Sequence, residues 1–210
     1  MPSSLLVAEN LRFDSRLALF HDTERWLAIA DLHYGYELSQ RIGGALFPAW
    51  GMNKIEERVA SLVATYQPQT LLFLGDLVHT AAASENFMIW KNTLENTVPE
   101  LILIRGNHDR HLKTITLHNH WRIGSHLFHH GDHSITCEPG EILLSGHLHP
   151  AETISDGAGL RQKLPALLQT PTGWILPAFS PWAAGGHPYN LEITDRWIAN
   201  GNKIWKIKAS

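Results

Sequence analysis

The chain has 210 residues, a formal net charge of −3 with neutral histidines, and one cysteine, Cys137. This length suits a single domain, residues 1–210, that buries a substantial core without disulfides. The charge argues against broad attraction to nucleic acid or anionic membranes, and one cysteine excludes an internal disulfide framework. Residues 1–10 lack a signal-peptide pattern and no apolar run reaches membrane-spanning length, so we expect a cytoplasmic protein that does not enter membranes.

The first quarter of the chain predicts strands followed by a long loop. Short apolar stretches within residues 4–20 indicate opening strands, and residues 26–30 form a compact apolar run typical of a buried strand. Glycine and proline recur through residues 34–52, so we expect a loop over one edge of the strand ends. Loops of this length are often functional.

Helices and strands alternate in the middle of the chain. A capping-box pattern at Asn53 predicts the start of a helix, and apolar residues then recur at helical spacing until Pro68. Apolar strands are predicted at residues 71–74 and 101–104, with a second helix from about Ser84 between them. This alternation implies parallel pairing of the strands.

Beyond Trp121 the pattern changes to strand and turn. Strands are predicted at residues 125–129, 142–145, 173–176, 189–194 and 203–208. They indicate a second sheet packed on the first, and no repeat or low-complexity tract divides the two.

Five of the apolar runs end in side chains that commonly bind metal ions. In chain order these clusters are Asp31 with His33, Asp76, Asn107 with His108 and Asp109, His130, and His147 with His149. The ends of neighbouring strands meet at one edge of a sheet, so their oxygen and nitrogen donors can converge on an ion. With 14 histidines against 17 lysines and arginines, the chain is also rich in the side chain that most often binds metals.

Each cluster is weak when it is taken alone. Asp31 and His33, like His147 and His149, have a spacing of two, which puts both side chains on one side of an extended segment. Few such triplets bind metal. Asp76 after a glycine could simply cap the following helix. The specificity lies in the joint pattern.

The third cluster is the most informative single motif. Asn107 offers a neutral carbonyl ligand, His108 can face a substrate, and Asp109 can hydrogen-bond the imidazole and set its tautomer. In the fourth cluster we choose His130 over His129, because His130 adjoins the glycine where the strand ends.

Along residues 26–150, the blocks Asp-x-His, Gly-Asp, Gly-Asn-His-Asp, His-Gly and Gly-His-x-His resemble the signature of the calcineurin-like metallophosphoesterases. This resemblance implies an α/β fold, a four-layer sandwich of two mixed β-sheets flanked by helices. Residues 29–37, 145–150 and 176–179 are similar to the narrower ICC-like phosphoesterase group, which includes the DNA-ligase-associated endonucleases. Those members often carry lysine where this chain has Tyr36, so the resemblance does not by itself assign a role in DNA repair.

The family resemblance also implies how the clusters divide between two divalent metal ions. One ion would be bound by Asp31, His33, Asp76 and His149, and the other by Asp76, Asn107, His130 and His147. Manganese is favoured, with iron or zinc as alternatives, because the ligands mix oxygen and nitrogen. In this scheme a metal-bridging hydroxide attacks phosphorus, His108 stabilises charge or protonates the leaving oxygen, and Asp109 orients His108.

We therefore expect a metal-dependent phosphoric ester hydrolase that favours phosphodiesters, as a nuclease does. The alternatives are a phosphomonoesterase or nucleotide hydrolase with the same metal site and, in another class, a scaffold that kept the fold without catalysis. Nucleic acid or a nucleotide is the expected partner, and the resemblance raises a functional link to a DNA ligase or helicase. The remaining histidines, His79 among them, are expected at the surface or in the core, and packing is favoured over base stacking for Trp50, Trp174 and Trp182.

Overall fold

The computed structural model describes residues 2–155, 157–183, 185–186 and 190–207. Its first sheet has six strands that lie side by side in chain order: β1 (Ser4–Ala8), β2 (Leu11–Asp14), β3 (Ala18–His21), β4 (Trp26–Ile29), β5 (Thr70–Leu74) and β6 (Glu100–Ile104). Neighbours from β1 to β4 pair antiparallel, whereas β4, β5 and β6 pair parallel. Ile29 lies opposite Phe73 and Leu74 lies opposite Ile104, so the loops after the parallel strands start close together.

The second sheet has eight strands in the described part of the chain: β7 (His120–Ile123), β8 (His126–His129), β9 (Ile142–Ser145), β10 (Ala151–Ser155), β11 (Arg161–Thr170), β12 (Gly173–Ile175), β13 (Asp195–Ala199) and β14 (Ile204–Ile207). Neighbours follow the order β14, β13, β11, β12, β9, β8, β7, and β10 pairs with β11. Pairing is parallel from β8 to β9 and from β9 to β12, so this sheet is also mixed. The loops after β8 and β9 therefore leave from a common edge.

The α-helices described lie between β4 and β6 in the chain: α1 (Tyr36–Ile42), α2 (Gly51–Tyr66) and α3 (Ser84–Glu95). The buried apolar residues of α2 and α3 recur at helical spacing: Ile55, Val59, Leu62 and Val63, then Phe87, Trp90 and Leu94. They share one hydrophobic core with Phe73 of the first sheet and Phe128 of the second. The predicted sandwich of two mixed sheets flanked by helices is confirmed, although its helices are few. Within these residues, no helix combines the length and apolar character needed to cross a membrane.

The region predicted as a loop, residues 34–52, differs from the expectation because it contains α1. Helix α2 also begins at Gly51 rather than at Asn53, and no side chain of its own first turn caps it. The carboxylate of Glu37 provides the acceptor instead, because the Met52 N–H donates to Glu37 Oε1 over 2.6 Å. A contact between two helices therefore fixes where α2 starts, and a local pattern could not reveal it.

Two further differences lie in the second sheet. The strand predicted at residues 189–194 is wrong over residues 190–194, which form turns and bends; residue 189 lies outside the described residues, as does residue 208 of the last predicted strand. The β10 and β11 hairpin was not predicted. Its strand β11 contains Pro165, which argues against a strand interior. Pro165 pairs with Ala151 at the end of the β10 ladder, just before β11 turns to β13 at Ala166.

Candidate metal centre

The loops that follow β4, β5, β6, β8 and β9 meet at one edge of the sandwich and carry all the predicted metal ligands. Backbone hydrogen bonds join the loops in pairs. The Asp31 N–H donates to the Gly75 carbonyl over 3.3 Å, and the Gly146 N–H donates to the His130 carbonyl over 2.9 Å. The side chains at this edge are thus fixed by the sheet ends and by each other.

Five of the seven predicted ligands have a left-handed backbone. The angle φ is 55° at Asp31, 40° at His33, 47° at Asp76, 67° at His147 and 45° at His149. Side chains other than glycine rarely adopt this region, which costs on the order of 1–3 kcal/mol each, and such strain gathers at functional sites. The extended geometry assumed for the two spacing-two pairs is therefore wrong. The pairs converge because the backbone turns at each residue.

The structure gathers one group of four side chains: Asp31, His33, Asp76 and His149. One donor atom from each lies within 4.8 Å of all the others. His33 Nε2 lies 3.2 Å from His149 Nε2 and 3.6 Å from Asp76 Oδ2. His149 Nε2 lies 3.4 Å from Asp31 Oδ1. These are the four residues that the family resemblance assigned to one ion.

A second group adjoins the first and contains Asp76, His130 and His147. His130 Nε2 lies 3.4 Å from Asp76 Oδ1 and 3.2 Å from His147 Nδ1. Asn107 joins the group, because its Oδ1 lies 3.2 Å from His130 Nε2. Asp76 thus belongs to both groups and presents a different oxygen to each.

The fully buried ring of His130 offers a test of whether the second group fits a cation. His130 Nδ1 lies 2.9 Å from the Leu74 carbonyl, which can only accept, so the proton of the neutral ring is on Nδ1. Nε2 then presents a lone pair to Asn107 Oδ1 and Asp76 Oδ1, which are also acceptors. No proton lies between these three atoms in this tautomer, so their lone pairs are arranged for a shared cation.

Charge burial gives a second test. Asp31 and Asp76 are buried, and among the described residues their ion pairs involve only histidines. Burial raises the pKa of the Asp31 carboxyl, and the charge of Asp76 raises it further. Burial lowers the pKa of His33 to about 3, so its ring is neutral and has a free lone pair. Carboxylate oxygens and neutral imidazoles buried together fit divalent manganese, iron or zinc.

Two glycines allow the loops to approach this closely. A Cβ at Gly75 would collide with the His130 ring, and a Cβ at Gly146 would lie 2.5 Å from Asp31 Oδ2. Gly75 also has a φ of 80°, which other residues rarely adopt. The glycine before Asp76 and the glycine before His147 are therefore required by packing around the cluster.

The two residues predicted to be catalytic have different positions. His108 is half-buried beside the first group, with its ring centroid 5.1 Å from that of His33, and its N–H donates to Asp76 Oδ1 over 3.0 Å. Asp109 is buried and turns away: its carboxylate accepts the N–H groups of Leu77, Val78 and Gly106. The hydrogen bond expected from Asp109 to the His108 ring is absent among the described residues, so the orienting role of Asp109 stays a prediction from the sequence.

His79 is a residue that the sequence prediction missed. It was assigned to the surface or core, but its Nδ1 lies 3.5 Å from His33 Nδ1 and its ring stacks on His108 with centroids 5.4 Å apart. The His79 N–H donates to the Tyr34 carbonyl over 3.0 Å, which ties the loop after β5 to the loop after β4. The sequence signal that could have placed His79 near the centre is its position three residues after the predicted ligand Asp76.

The sequence model of the calcineurin-like phosphoesterases matches residues 25–204, so the chain belongs to this family. No curated protein matches it. Among solved structures, the nuclease MPE of Pseudomonas putida is 21% identical with a TM-score of 0.73, over 99% of this chain and 100% of that chain. The phosphoesterase Yfce of E. coli is 18% identical with a TM-score of 0.48, over 87% of this chain and 97% of that chain.

At this identity the likeness to MPE shows a shared fold. Family membership and the buried cluster of carboxylates and imidazoles together support a phosphoester hydrolase whose centre can bind metal ions.

Proposed function

We propose that this protein hydrolyses phosphodiesters, with nucleic acid as the substrate class, at a centre that binds two divalent metal ions. The position of Asp76 carries the proposal. Its Oδ2 lies 3.6 Å from His33 in one donor group, and its Oδ1 lies 3.4 Å from His130 in the other. A carboxylate that presents one oxygen to each group is suited to bridge two ions.

The ligands of the first ion would be Asp31, His33, Asp76 and His149, and those of the second Asp76, Asn107, His130 and His147. When bound, the ions would polarise the phosphate and lower the pKa of a coordinated water. Manganese is our preferred metal, because carboxylate oxygens stand beside the imidazoles in both sets and an amide oxygen, that of Asn107, joins the second.

His108 would act on the leaving group in this proposal. Its half-buried ring stands beside His33 and His79, where a substrate can reach it. The hydrogen bond from its N–H to Asp76 fixes the backbone that carries the ring. From that position a ring nitrogen can protonate the leaving oxygen or stabilise negative charge on the phosphate. Asp109 supports this geometry through the backbone it binds.

The shape of the surface favours a diester over a monoester. A groove of about 760 Å³ opens beside His149 and continues past Lys54 and Lys163. A diester carries a second substituent that such a groove can hold, and its lysines suit additional phosphates. The nuclease activity in the name of MPE agrees with this choice. A link to a DNA ligase or helicase stays a prediction from the sequence.

Hydrolysis of bis-p-nitrophenyl phosphate and p-nitrophenyl phosphate by the manganese-loaded protein tests the proposal. We expect the diester to be turned over more efficiently, and activity to vanish with EDTA. A strong preference for the monoester would instead support the phosphomonoesterase or nucleotide hydrolase. Binding of metal without turnover of either compound would support the scaffold.

A further inference from the structure

Four aromatic side chains form a continuous cluster beside the candidate metal centre. We call this cluster the aromatic platform; its members are Tyr36, Phe47, Trp50 and Trp182. The Trp182 ring has its centroid 4.5 Å from that of Trp50 and 4.6 Å from that of Phe47. The Tyr36 ring lies 4.7 Å from the ring of His79, which stacks on His108. The platform is therefore continuous with the catalytic edge of the fold.

Packing alone does not account for the platform. Trp50 is 46% exposed, and Leu46, four residues earlier in the loop between α1 and α2, is fully exposed. By contrast, Trp174 is buried in the core, as packing predicts. An indole that is half in solvent beside a catalytic edge presents an apolar face that a ligand can cover.

The platform is held in place by a buried carboxylate. Glu37 is only 1% exposed, and its Oε2 accepts a hydrogen bond from Trp182 Nε1 over 3.1 Å. Its Oε1 accepts the Met52 N–H over 2.6 Å. A Cβ at Gly51 would collide with the Trp182 indole and lie 2.6 Å from Glu37 Oε2, so only glycine permits this packing. The arrangement of the rings is therefore fixed before any ligand arrives.

Positive charge lies next to the exposed indole. Lys54 follows Trp50 by one turn of α2, and its Nζ lies 6.0 Å from the centroid of the Trp50 ring. Lys54 also lines the groove that opens at His149. An aromatic face next to a cation matches a nucleotide in a strand, which combines a flat base with an anionic phosphate.

We propose that the aromatic platform binds an unpaired nucleobase of the substrate strand next to the phosphate that is cleaved, with Lys54 contacting a neighbouring phosphate. This inference rests on the proposed function, because it assumes a nucleic-acid diester. An aromatic face can stack only on a base whose own face is free, so the platform selects single-stranded or unpaired segments.

The test compares two single-stranded DNA oligonucleotides of equal length, one of ordinary sequence and one with abasic residues around the central phosphate. Both carry the same charge, so only base contacts differ. Binding to the full chain is measured by fluorescence anisotropy with EDTA, and KM and kcat for hydrolysis are measured with Mn²⁺. The variants are Trp50→Leu, which removes the ring, and Trp50→Phe, which keeps an aromatic face. Trp205→Leu is the matched control, because Trp205 is 42% exposed on β14 and does not line the groove.

We expect Trp50→Leu to weaken binding of the ordinary strand by about 10-fold or more and to raise its KM similarly, with kcat changed less. The abasic strand should bind wild type and Trp50→Leu equally, Trp50→Phe should restore most of the loss, and Trp205→Leu should have no effect.

An equal loss of binding on both strands, or no loss on either, would overturn the inference. So would a change in oligomeric state in Trp50→Leu, which would show that a second copy covers the platform. Failure of the proposed function would be a separate result, in which neither strand is cleaved with Mn²⁺. The difference in binding between the ordinary and the abasic strand, measured in EDTA, would still test the platform.

Discussion

Asp76 Oδ1 and His130 Nε2 lie 3.4 Å apart, and in the neutral ring neither atom has a proton to donate. The proton of His130 is used at Nδ1 for the Leu74 carbonyl. The two lone pairs face each other across a gap that a shared cation would fill, so a bound ion should stabilise this contact. Asp31 and Asp76 are also buried close together, so the metal-free protein should be less stable than the metal-bound one.

Addition of metal should stabilise the protein strongly. Ions that bind only the folded state raise its stability by mass action, by about 2.7 kcal/mol at a free concentration 100 times the dissociation constant. We expect the melting temperature to rise with Mn²⁺ and to fall with EDTA. Differential scanning calorimetry against Mn²⁺ concentration measures the effect. A melting temperature that does not depend on metal would contradict the proposed centre.

Asp76→Asn should stabilise the metal-free protein and weaken its binding of metal. The amide keeps an oxygen for the His108 N–H but removes one buried negative charge, which also acts on Asp31. In EDTA we expect the variant to be about 1 kcal/mol more stable than wild type, while Mn²⁺ stabilises it less. Its activity should fall about 1,000-fold, because the side chain can no longer present an oxygen to each of two ions. Urea denaturation with and without Mn²⁺ gives the comparison.

The control for Asp76→Asn is Asp195→Asn, which removes a carboxylate paired with Lys206 at the surface of the second sheet. It should change neither metal binding nor activity. If Asp76→Asn keeps two bound ions and full activity, Asp76 is not the shared ligand.

His108→Ala should separate chemistry from metal binding. The variant keeps the backbone N–H that donates to Asp76 and removes only the ring. We expect the metal content to stay the same while kcat falls about 100- to 10,000-fold, the usual contribution of a general acid. Metal analysis of the purified protein and steady-state kinetics on the diester measure the two effects. Loss of metal together with activity would place His108 among the ligands instead.

Asp109→Ala should act mainly on stability. The carboxylate accepts three backbone N–H groups that join the loops after β5 and β6. Leaving these buried donors without a partner should lower the free energy of unfolding by about 3 kcal/mol or more. Thermal denaturation in EDTA measures this loss without a contribution from metal. A variant as stable as wild type, but inactive, would return Asp109 to the catalytic role predicted from the sequence.

The sequence predicted which strands would meet because apolar runs and their polar ends are local patterns. Runs such as residues 71–74 and 101–104 needed no tertiary information, and their parallel order followed from the helix between them. The left-handed backbone at His33 and His149 could not be predicted in this way. It is imposed by neighbouring loops, and the spacing of two suggested an extended segment instead.

The parts of the site that were missed depend on contacts between distant segments. Asp109 was assigned by its neighbour in sequence, His108, although its partners Leu77 and Val78 come from the loop after β5. The aromatic platform joins Tyr36 and Phe47 to Trp182, and its hydrogen bond to Glu37 spans 145 residues. Single aromatic residues in a sequence give no sign of such an assembly.

Glu37→Gln should loosen the aromatic platform while sparing the metal centre. Both groups that face Glu37, the Met52 N–H and Trp182 Nε1, are donors, and glutamine has only one oxygen to accept from them. We expect the free energy of unfolding to fall by about 1–3 kcal/mol, and the KM for single-stranded DNA to rise more than the KM for bis-p-nitrophenyl phosphate. The matched control is Glu85→Gln, an exposed glutamate of α3 that does not line the groove. Equal losses of kcat on both substrates would mean that Glu37 supports the metal centre rather than the platform.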